Sequence, residues 1–521
     1  MSATDDHTRG IRRDLFTAFA VALTVRLAYL LALRRAIDMA DAIHYLTMAK
    51  QFAAGDFLGF DENLPVLYSL FGATTHLVFV NWEHAMWAVS LLASSLLVVP
   101  VYYLSRELHG RSTARTAAAL VCLWPWLVDY GSRIAPEALA VTLFFTAIWL
   151  FYSAIERGRY NLVVAPLALF LLHLTRPEGT FLMIAAPVGG LLLTIRRDRI
   201  HWRRLGIVTA QCAFLLALYA LFMRVVIGTA TVSYRAPMAT DLGDYFSRGA
   251  LDLGRTAMAL LFEVLPVMLG PLLLIFLGLG LFTAPERRRL PRLEALILFF
   301  CGIQWTLTLA NFSPTPRYVM AVVVALSLWS AHGIVVLSRQ WRQSSQGAWA
   351  QHVPFAVLAA TLLLGLAANI ASESISGMPR TPREYRIAGK WMRTELPPGY
   401  IISRKPQIGF YADMPSIGPD AAHDAAGVVA FAEQIGARYL VIDERHSAAI
   451  VPGLRPLLDP ANAPAELRLI RADLSPYEGA RVVLYEFVPP GIAYLDPKDA
   501  PTTNSRMGPD ERRRKTDTTD D

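Results

Sequence analysis

Two neighbouring stretches near the N-terminus indicate the architecture of the chain: LFTAFAVALTVRLAYLLAL (residues 15–33) and DAIHYLTMAKQFAAGD (residues 41–56). The first is apolar and long enough to cross the roughly 30 Å hydrocarbon core of a bilayer as a helix. It contains Arg26 and lacks a small-residue cleavage site, so we expect a retained transmembrane helix rather than a signal peptide. The second has apolar side chains at helical spacing beside polar ones, which is typical of a helix lying in the membrane interface.

The composition extends this interpretation to most of the chain. The 521 residues are 54% hydrophobic and only 17% charged, with a mean hydropathy of +0.38, which is too apolar for a water-soluble protein. We therefore predict an α-helical polytopic membrane protein with about eleven transmembrane helices. The apolar segments lie at residues 15–34, 84–106, 113–131, 135–155, 161–174, 178–195, 204–228, 257–283, 293–312, 317–337 and 354–371.

The distribution of charge predicts the orientation of these helices. The net charge of +7 comes from arginines that lie mostly in short loops between apolar segments, so it does not indicate a nucleic-acid partner. If the N-terminus is cytoplasmic, every basic cluster from Arg9 to Arg342 faces inward, as membrane proteins prefer. An odd number of spans then places the C-terminus outside. We predict a multi-pass protein of the inner (cytoplasmic) membrane with an extracytoplasmic C-terminal domain.

The domain organisation follows from where the apolar segments end. Residues 1–372, which include an outer loop at 38–82, form the predicted transmembrane domain. Residues 373–490 alternate helical patterns with β-rich runs, which predicts a small extracytoplasmic α/β domain. Residues 491–521 contain few large apolar side chains, so we predict a disordered tail. The β-rich runs are residues 400–403, 439–442 and 481–488.

Short motifs are spread over nearly the whole chain. The first motif is an acid four residues before a tyrosine, formed by Asp41 and Tyr45. An A-x-x-x-x-x-G helix and a Pro-Tyr segment follow, formed by Ala49 with Gly55 and by Pro65 with Tyr68. Later stretches are LHGRSTARTAAAL (108–120), RIAPEAL (133–139), LTRPEG (174–179), PRY (316–318) and ISRKPQIGFY (402–411). Together they resemble the GT-C superfamily of membrane glycosyltransferases, in particular its protein O-mannosyltransferase and lipid A aminoarabinose transferase branch. Many members have an adjacent acidic pair where this chain has Asp41 and Ala42.

The resemblance implies a GT-C-like fold and an inverting glycosyltransferase. Such an enzyme moves a sugar from a polyprenyl-phosphate-linked donor to an acceptor hydroxyl on the outer face of the membrane. Its partners would be the donor, membrane lipid and an acceptor that is a protein, a lipid or a polysaccharide. No cofactor is required, since arginine can neutralise a single phosphate, although a divalent metal is compatible with the reaction. His44, His76 and His84 are scattered and do not form a metal motif.

Asp41 is the residue to which the resemblance assigns the catalytic base. An acid beside the bilayer surface can be partly desolvated, which makes it a better acceptor for a hydroxyl proton. Asp38, one helical turn earlier, is a rival for this role. Asp41 could also serve as the N-cap of the following helix, and the two roles can coexist.

The candidates for substrate binding lie at the outer ends of helices. Arg317 is the strongest, because Pro314 and Pro316 direct the backbone there and a guanidinium can bind a phosphate through two parallel hydrogen bonds. For Arg176, Glu178 and the others, interfacial anchoring or a solvated ion pair is the alternative. The predicted substrate-binding set is Arg317, Tyr318, Arg176, Glu137, Arg133, Tyr45 and Asp38.

Two other functions stay open at this point: a transporter or flippase of lipid-linked sugars, and an inactive assembly scaffold. Transport would require ionisable residues deep within several spans. The ionisable residues gather instead at helix ends, which favours chemistry at the membrane surface. Arg26 is the exception, and we expect a structural role for it.

Overall fold

The structure is a computed structural model of the chain. It describes residues 3–58, 64–228, 249–283, 291–310, 315–344, 349–375, 379–419, 424–475 and 480–488. The predicted disordered tail lies outside the described residues, as does most of the loop at 229–256.

Helices make up nearly all of the described residues before residue 376. We number them α1 to α16, and a π-helical turn at Leu260–Val264 joins α12 to α13. They are α1 Ala3–Leu33, α2 Asp41–Ala53, α3 Leu67–His76, α4 Trp82–Leu96, α5 Val98–His109, α6 Arg111–Leu123, α7 Pro125–Gly131, α8 Glu137–Arg157, α9 Asn161–His173, α10 Glu178–Thr194, α11 Arg199–Ile227, α12 Gly249–Ala259, α13 Leu265–Phe282, α14 Pro291–Ala310, α15 Pro316–Ser344 and α16 Val353–Ile375.

Every apolar segment predicted from the sequence is helical in the described residues. Within the part of the chain that the structure describes, eight continuous helical stretches are long and apolar enough to cross a membrane, so the chain is a multi-pass membrane protein. The other three predicted spans correspond to shorter helices. Helices α9 and α10 have 13 and 17 residues, and the span predicted at 113–131 is broken into α6 and α7.

The break between α6 and α7 explains the buried arginine of the first span. Pro125 has no N–H, so the carbonyl of Val121, four residues earlier, loses its helical partner. Arg26 is fully buried and donates to this carbonyl at 2.9 Å and to the Cys122 carbonyl at 3.3 Å. Its positive charge therefore lies against the negative end of α6, which is the structural role expected for it.

A second break lies within α13. Gly270 has a positive φ of 72°, a conformation that glycine tolerates, and Pro271 follows it. The kink frees main-chain carbonyls, and the Met268 carbonyl accepts a hydrogen bond of 2.9 Å from the indole of Trp124. Trp124, which lies at the break between α6 and α7, thus provides a hydrogen-bond donor for a carbonyl at the break in α13. This bond links α13 to the α6–α7 junction inside the helical bundle.

The basic clusters lie together at one end of the helical bundle. Ionic and main-chain contacts join α1 to the start of α6, the end of α8 to the start of α11, and the start of α14 to the loop between α10 and α11. They are Arg111 and Arg115 with Asp14 at 2.9 Å each, Arg204 with the Ile155 carbonyl at 2.9 Å and Arg292 with the Ile195 carbonyl at 3.2 Å. These contacts place the basic residues named here at one end of the bundle, while the grouping of all the basic loops and their cellular side stay predictions.

The region after residue 378 forms a three-layer α/β unit. Its elements are α17 Arg383–Glu395, β1 Ile401–Ser403, α18 Pro406–Ala412, β2 Ser416–Ile417, α19 Ala425–Ile435, β3 Tyr439–Asp443, α20 Ser447–Ile450, β4 Leu467–Arg471 and β5 Val482–Phe487. The strand order is β2-β1-β3-β5-β4, in which β1 pairs in parallel with β2 and β3, and β5 pairs antiparallel with β3 and β4. Alternate side chains of β1, β3 and β5 fill two apolar cores, one on each face. The three predicted β-rich runs contain β1, β3 and β5, whereas β2 and β4 were not among them.

The chain divides into two compact units. The helical unit comprises Met1–Arg34 with His44–Ser372, and the second unit comprises Arg35–Ile43 with Glu373–Asp521. The segment Arg35–Ile43, which contains Asp38 and Asp41, therefore folds with the α/β unit although the sequence predicts it as part of the transmembrane domain.

Candidate active site

A polar cleft lies at the end of the helical bundle opposite the basic clusters. Helix α8 begins there at Glu137 and ends at Arg157, which pairs with Glu107 near the basic end. The cleft is partly open to solvent, and the space between its walls, including the open part, is about 370 Å³. Four of the predicted substrate-binding residues line it, together with two further polar residues. They are Glu137, Arg176, Arg317 and Tyr318, with Glu178 and Gln304.

Arg176 is held by two buried carboxylates. Its guanidinium makes a bidentate contact with Glu178, at 2.8 and 3.1 Å, and a third bond of 3.3 Å with Glu137. The tight turn between α9 and α10 makes this possible, and it requires Gly179, where an added Cβ would lie 2.4 Å from the His173 main-chain nitrogen. Arg176 is thus firmly oriented, and its charge is shared with two acids.

Arg317 and Tyr318 form the opposite wall of the cleft at the start of α15. Arg317 donates to the Tyr318 hydroxyl at 2.8 Å, and its guanidinium lies 4.8 Å from the centre of the same ring. The Arg176 guanidinium lies 5.1 Å from that ring. Gln304 anchors this turn by donating to the Tyr318 carbonyl at 3.2 Å. Both guanidinium groups therefore lie at a distance from the Tyr318 ring that is favourable for cation–π contact.

Glu137 has one oxygen available for a ligand. Oε1 accepts from Arg176, whereas Oε2 is buried and has no hydrogen-bond partner within the part of the chain that the structure describes. A buried acceptor without a partner is costly. The side chain lines the cleft, so a hydroxyl-bearing ligand there could satisfy this oxygen.

Asp38 and Asp41 differ in their surroundings within the second unit. Asp38 pairs with Arg35 at 3.3 Å, and both side chains are largely buried. Asp41 is exposed and is the first residue of α2, in its first turn. An acid in the first turn is favourable beside the positive end of the helix dipole.

The α/β unit contains a separate polar cluster at the end of β3. Asp443 accepts hydrogen bonds from the His446 amide at 2.7 Å, the Ser447 amide at 3.2 Å and the Tyr385 hydroxyl at 2.9 Å. The Tyr385 hydroxyl also contacts Nδ1 of His446 at 2.6 Å. Since the tyrosine proton goes to the carboxylate, Nδ1 must carry a proton and donate. Asp443 thus satisfies the amides that start α20, which is a structural function.

Known proteins share this architecture. The family profile described as dolichyl-phosphate-mannose-protein mannosyltransferase matches residues 63–227, and no curated protein sequence matches the chain. The structure of ArnT from Cupriavidus metallidurans bound to undecaprenyl phosphate is 15% identical, with a TM-score of 0.60 over 91% of this chain and 98% of that one. The chain has the fold of the GT-C glycosyltransferases.

A second GT-C structure is similar over a smaller share of its own length. It is the archaeal oligosaccharyltransferase AglB from Archaeoglobus fulgidus in complex with an inhibitory peptide and a dolichol-phosphate, which is 13% identical with a TM-score of 0.54. The match covers 82% of this chain and 69% of that one. The resemblance inferred from the sequence motifs is therefore confirmed at the level of the GT-C fold.

Besides Asp38 and Asp41, two further predicted site residues are not among those that line the cleft. The ring of Tyr45 is buried and packs edge-on against Tyr68 at 5.5 Å. Arg133 pairs with Asp129 at 2.8 Å, and its guanidinium lies 4.9 Å from the Tyr130 ring. Both residues make structural contacts in the described residues. The cleft lends no support to their predicted role in substrate binding.

Two residues of the cleft were absent from the predicted site. Glu178 was recognised only as an acid at a helix end, although the R-P-E spacing allows it to reach back to Arg176. Gln304 lies in an otherwise apolar helix, and a polar side chain within a predicted span is itself a signal of function. As to metals, no group of three or more His, Cys, Asp or Glu in the described residues is close enough to hold an ion.

Proposed function

We propose that this protein is an inverting glycosyltransferase that uses a polyprenyl-phosphate-linked sugar donor and an acceptor hydroxyl. The observation that carries the proposal is the cleft of Glu137, Arg176 and Arg317 at one end of a GT-C fold. It combines arginine, which suits a phosphate, with a buried carboxylate oxygen, which suits a sugar or acceptor hydroxyl.

In the proposed reaction the acceptor oxygen attacks the anomeric carbon of the donor sugar as the bond from that carbon to the phosphate oxygen breaks. The acceptor hydroxyl proton passes to the carboxylate of Asp41, and polyprenyl phosphate leaves with the bonding electrons. A single displacement inverts the configuration of the sugar. The negative charge that develops on the departing phosphate is stabilised by a cationic donor.

Arg317 is the proposed phosphate ligand. Arg176 already shares its charge with Glu137 and Glu178, so its proposed role is to hold Glu137 in place. The cleft as a whole contains two arginines and two acids, and these charges balance. We therefore expect binding of the donor phosphate to depend on the nearby positive charge of Arg317, because the cleft as a whole has no excess of positive charge.

The proposed location is the outer face of the inner membrane, opposite the basic loops. Two structural neighbours support a lipid-phosphate ligand, because ArnT is described with undecaprenyl phosphate and AglB with dolichol-phosphate. The AglB complex also contains an inhibitory peptide. For the present chain the acceptor is proposed only as a hydroxyl of a protein, a lipid or a polysaccharide, and no cofactor is proposed.

The test is sugar transfer by purified full-length protein from a synthetic polyprenyl-phosphate donor carrying a radiolabelled sugar. Label should move to an added acceptor or to a co-purifying one, with inverted configuration, and the assay should be run with magnesium and with EDTA. A protein that moves intact donor across vesicle membranes without cleaving it would instead be a flippase. An arginine deep in a span could have favoured transport, but the contacts of Arg26 with main-chain carbonyls give it a structural role.

A further inference from the structure

The segment before Asp41 is bound by the α/β unit through its main chain. Ala36 and Ile37 are 2% and 1% exposed. The amide of Ile37 donates to the Tyr411 hydroxyl at 3.1 Å, and the Arg35 carbonyl accepts from Arg386 at 2.6 Å. These bonds fix the path of the backbone whatever the side chains of the segment are.

A third contact extends the attachment toward the acid. The side-chain amide of Gln407 reaches the Asp38 carbonyl at 3.5 Å. Gln407 is fully buried, and its Oε1 has no hydrogen-bond partner among the described residues. Three successive points of the segment, at residues 35, 37 and 38, are therefore held by one surface of the α/β unit.

This surface is built by direct packing of α17 on α18. A Cβ added to Gly389 would lie 2.5 Å from the Tyr411 Cβ and 2.6 Å from the Ile408 carbonyl oxygen, so the two helices touch there without an intervening side chain. Arg386 lies one turn before Gly389, and its guanidinium is 5.6 Å from the Tyr411 ring and 3.4 Å from its hydroxyl. The side chains of Arg386 and Tyr411, which together we call the clamp, thus orient each other.

The path from the clamp to Asp41 is short and hydrogen-bonded. The Ala42 amide donates to the Met39 carbonyl at 3.3 Å, and the Ile43 amide donates to the Ala40 carbonyl at 3.0 Å. The first turn of α2 therefore starts directly after the held residues. If the contacts of Arg386 and Tyr411 with this segment shift, the Asp41 carboxylate should therefore shift with them. Misplacing a reacting group by about 1 Å can lower the rate roughly 10²-fold.

We propose that Arg386 and Tyr411 are positioning residues that hold the segment bearing Asp41, and that this is a function of the α/β unit. The proposal rests on the proposed function, because it assumes that Asp41 is the base. Neither side chain is assigned contact with substrate. Both act on the reaction through the main chain of residues 35 to 38.

The decisive variant is Tyr411→Phe, which removes the hydroxyl that accepts from Ile37. The matched control is Tyr485→Phe, because the Tyr485 hydroxyl is also buried in the α/β unit and donates to a main-chain carbonyl, that of Leu457, at 2.6 Å. We expect Tyr411→Phe to lower kcat by about tenfold at unchanged donor KM, and the control to leave kcat unchanged. Arg386→Lys, which keeps the charge and loses the planar fork, should have a smaller effect of the same kind.

Two further measurements separate positioning from stability. In an Asp41→Asn background, Tyr411→Phe should cause no additional loss of kcat, since residues that act through one another are not additive. Hydrogen exchange of the peptide containing residues 35–43 should accelerate in Tyr411→Phe and not in Tyr485→Phe. Equal kcat and equal exchange for these two variants would overturn the proposal, as would a full tenfold loss in the Asp41→Asn background.

The exchange measurement also distinguishes this proposal from the proposed function. If the wild-type protein transfers no sugar, the glycosyltransferase assignment fails. Faster exchange of residues 35–43 in Tyr411→Phe alone would then still support the clamp, and unchanged exchange would overturn it.

Discussion

At the scale of single residues, Asp41 and Asp38 differ in how far they are exposed. Asp38 is committed to an ion pair with Arg35 in a largely buried position, whereas Asp41 is exposed at the start of α2. An acceptor hydroxyl can reach an exposed carboxylate more readily than a largely buried one. This contrast favours Asp41 as the proposed base.

We expect Asp41→Asn to lower turnover by roughly 10² or more, because the amide keeps the size of the side chain and cannot accept the hydroxyl proton. Turnover should be measured on purified variants at saturating donor, so that weak binding is not mistaken for lost chemistry. Asp38→Asn is the matched control and should reduce turnover much less. Near-normal turnover of Asp41→Asn would transfer the role to Asp38 or Glu137.

Arg317 provides the second expectation at this scale. Replacement by Ala should raise the donor KM by about 10- to 100-fold, which is the effect of losing a charge-assisted hydrogen bond. Replacement by Lys should raise it less, because the charge remains and the planar fork is lost. Donor kinetics give the comparison, and Arg197→Ala at the basic end serves as a control. Identical donor KM values for all these proteins would remove Arg317 from the site.

At the scale of helices, α13 and α15 cross in direct backbone contact. A Cβ added to Gly333 would lie 2.0 Å from the Phe276 carbonyl oxygen, and one added to Gly280 would lie 2.0 Å from the Trp329 carbonyl oxygen. Small residues permit such close approach of membrane helices. Helix α15 begins with the residues that form one wall of the cleft. The crossing with α13 therefore helps to fix the position of that wall.

Gly333→Ala should therefore destabilise the protein by about 1–3 kcal/mol or more, because the added methyl group meets backbone that cannot rotate away. Gly278→Ala is the control in α13, since nothing lies within 4 Å of a Cβ added there. Thermal unfolding of detergent-purified variants, followed by size-exclusion chromatography, gives the comparison. Equal midpoints for both variants would argue against the tight crossing.

The cluster at the end of β3 makes the α/β unit sensitive to acid. Burial, together with the charges of Lys405, Arg404 and Arg445, lowers the pKa of His446 to about 4, although Asp443 acts in the opposite direction. The unfolded chain binds a proton on this ring near pH 6.5 and the folded chain does so only near pH 4. Between these values the unfolded state holds more protons, so stability falls as the pH falls.

We expect a loss of roughly 1–2 kcal/mol between pH 6.5 and 4 from this ring, reduced from the full linkage value because the side chain is partly exposed. The variant His446→Asn keeps a side-chain donor for the Tyr385 hydroxyl and does not titrate. The difference in unfolding midpoint between wild type and variant should therefore change with pH over this range. A constant difference would show that the folded ring titrates normally.

At the scale of the whole molecule, the proposed orientation concerns the side of the membrane on which the α/β unit and the basic loops lie. Single cysteines introduced at Ala472 in the α/β unit and at Asp198 between α10 and α11 would both be exposed. The three native cysteines are buried, so they should contribute little background. We expect an impermeant reagent to label Ala472→Cys in intact cells and Asp198→Cys only after permeabilisation. The reverse pattern, or labelling of both in intact cells, would contradict the orientation.

The helical architecture was predictable from local pattern because a membrane helix must satisfy its own backbone polar groups and bury an apolar surface within about 20 residues. The α/β character of residues 379–488 was predictable for the same kind of reason, since the buried strands β1, β3 and β5 are continuous apolar runs. The strands β2 and β4 escaped prediction. β2 has two residues, and β4 is a partly exposed edge strand with arginines.

The site, too, could be predicted only in part from the sequence. That Glu137, Arg176 and Arg317 lie at helix ends on one side followed from counting spans and basic loops. That Arg176 binds Glu137 across 39 residues, and that Arg133 and Tyr45 do not line the cleft, did not follow, because helix packing sets those distances. The attachment of Ile37 to Tyr411 joins residues 374 positions apart. No periodicity encodes such a bond, since it forms only when a main-chain amide and a distant hydroxyl are brought together by the packing of α17 on α18.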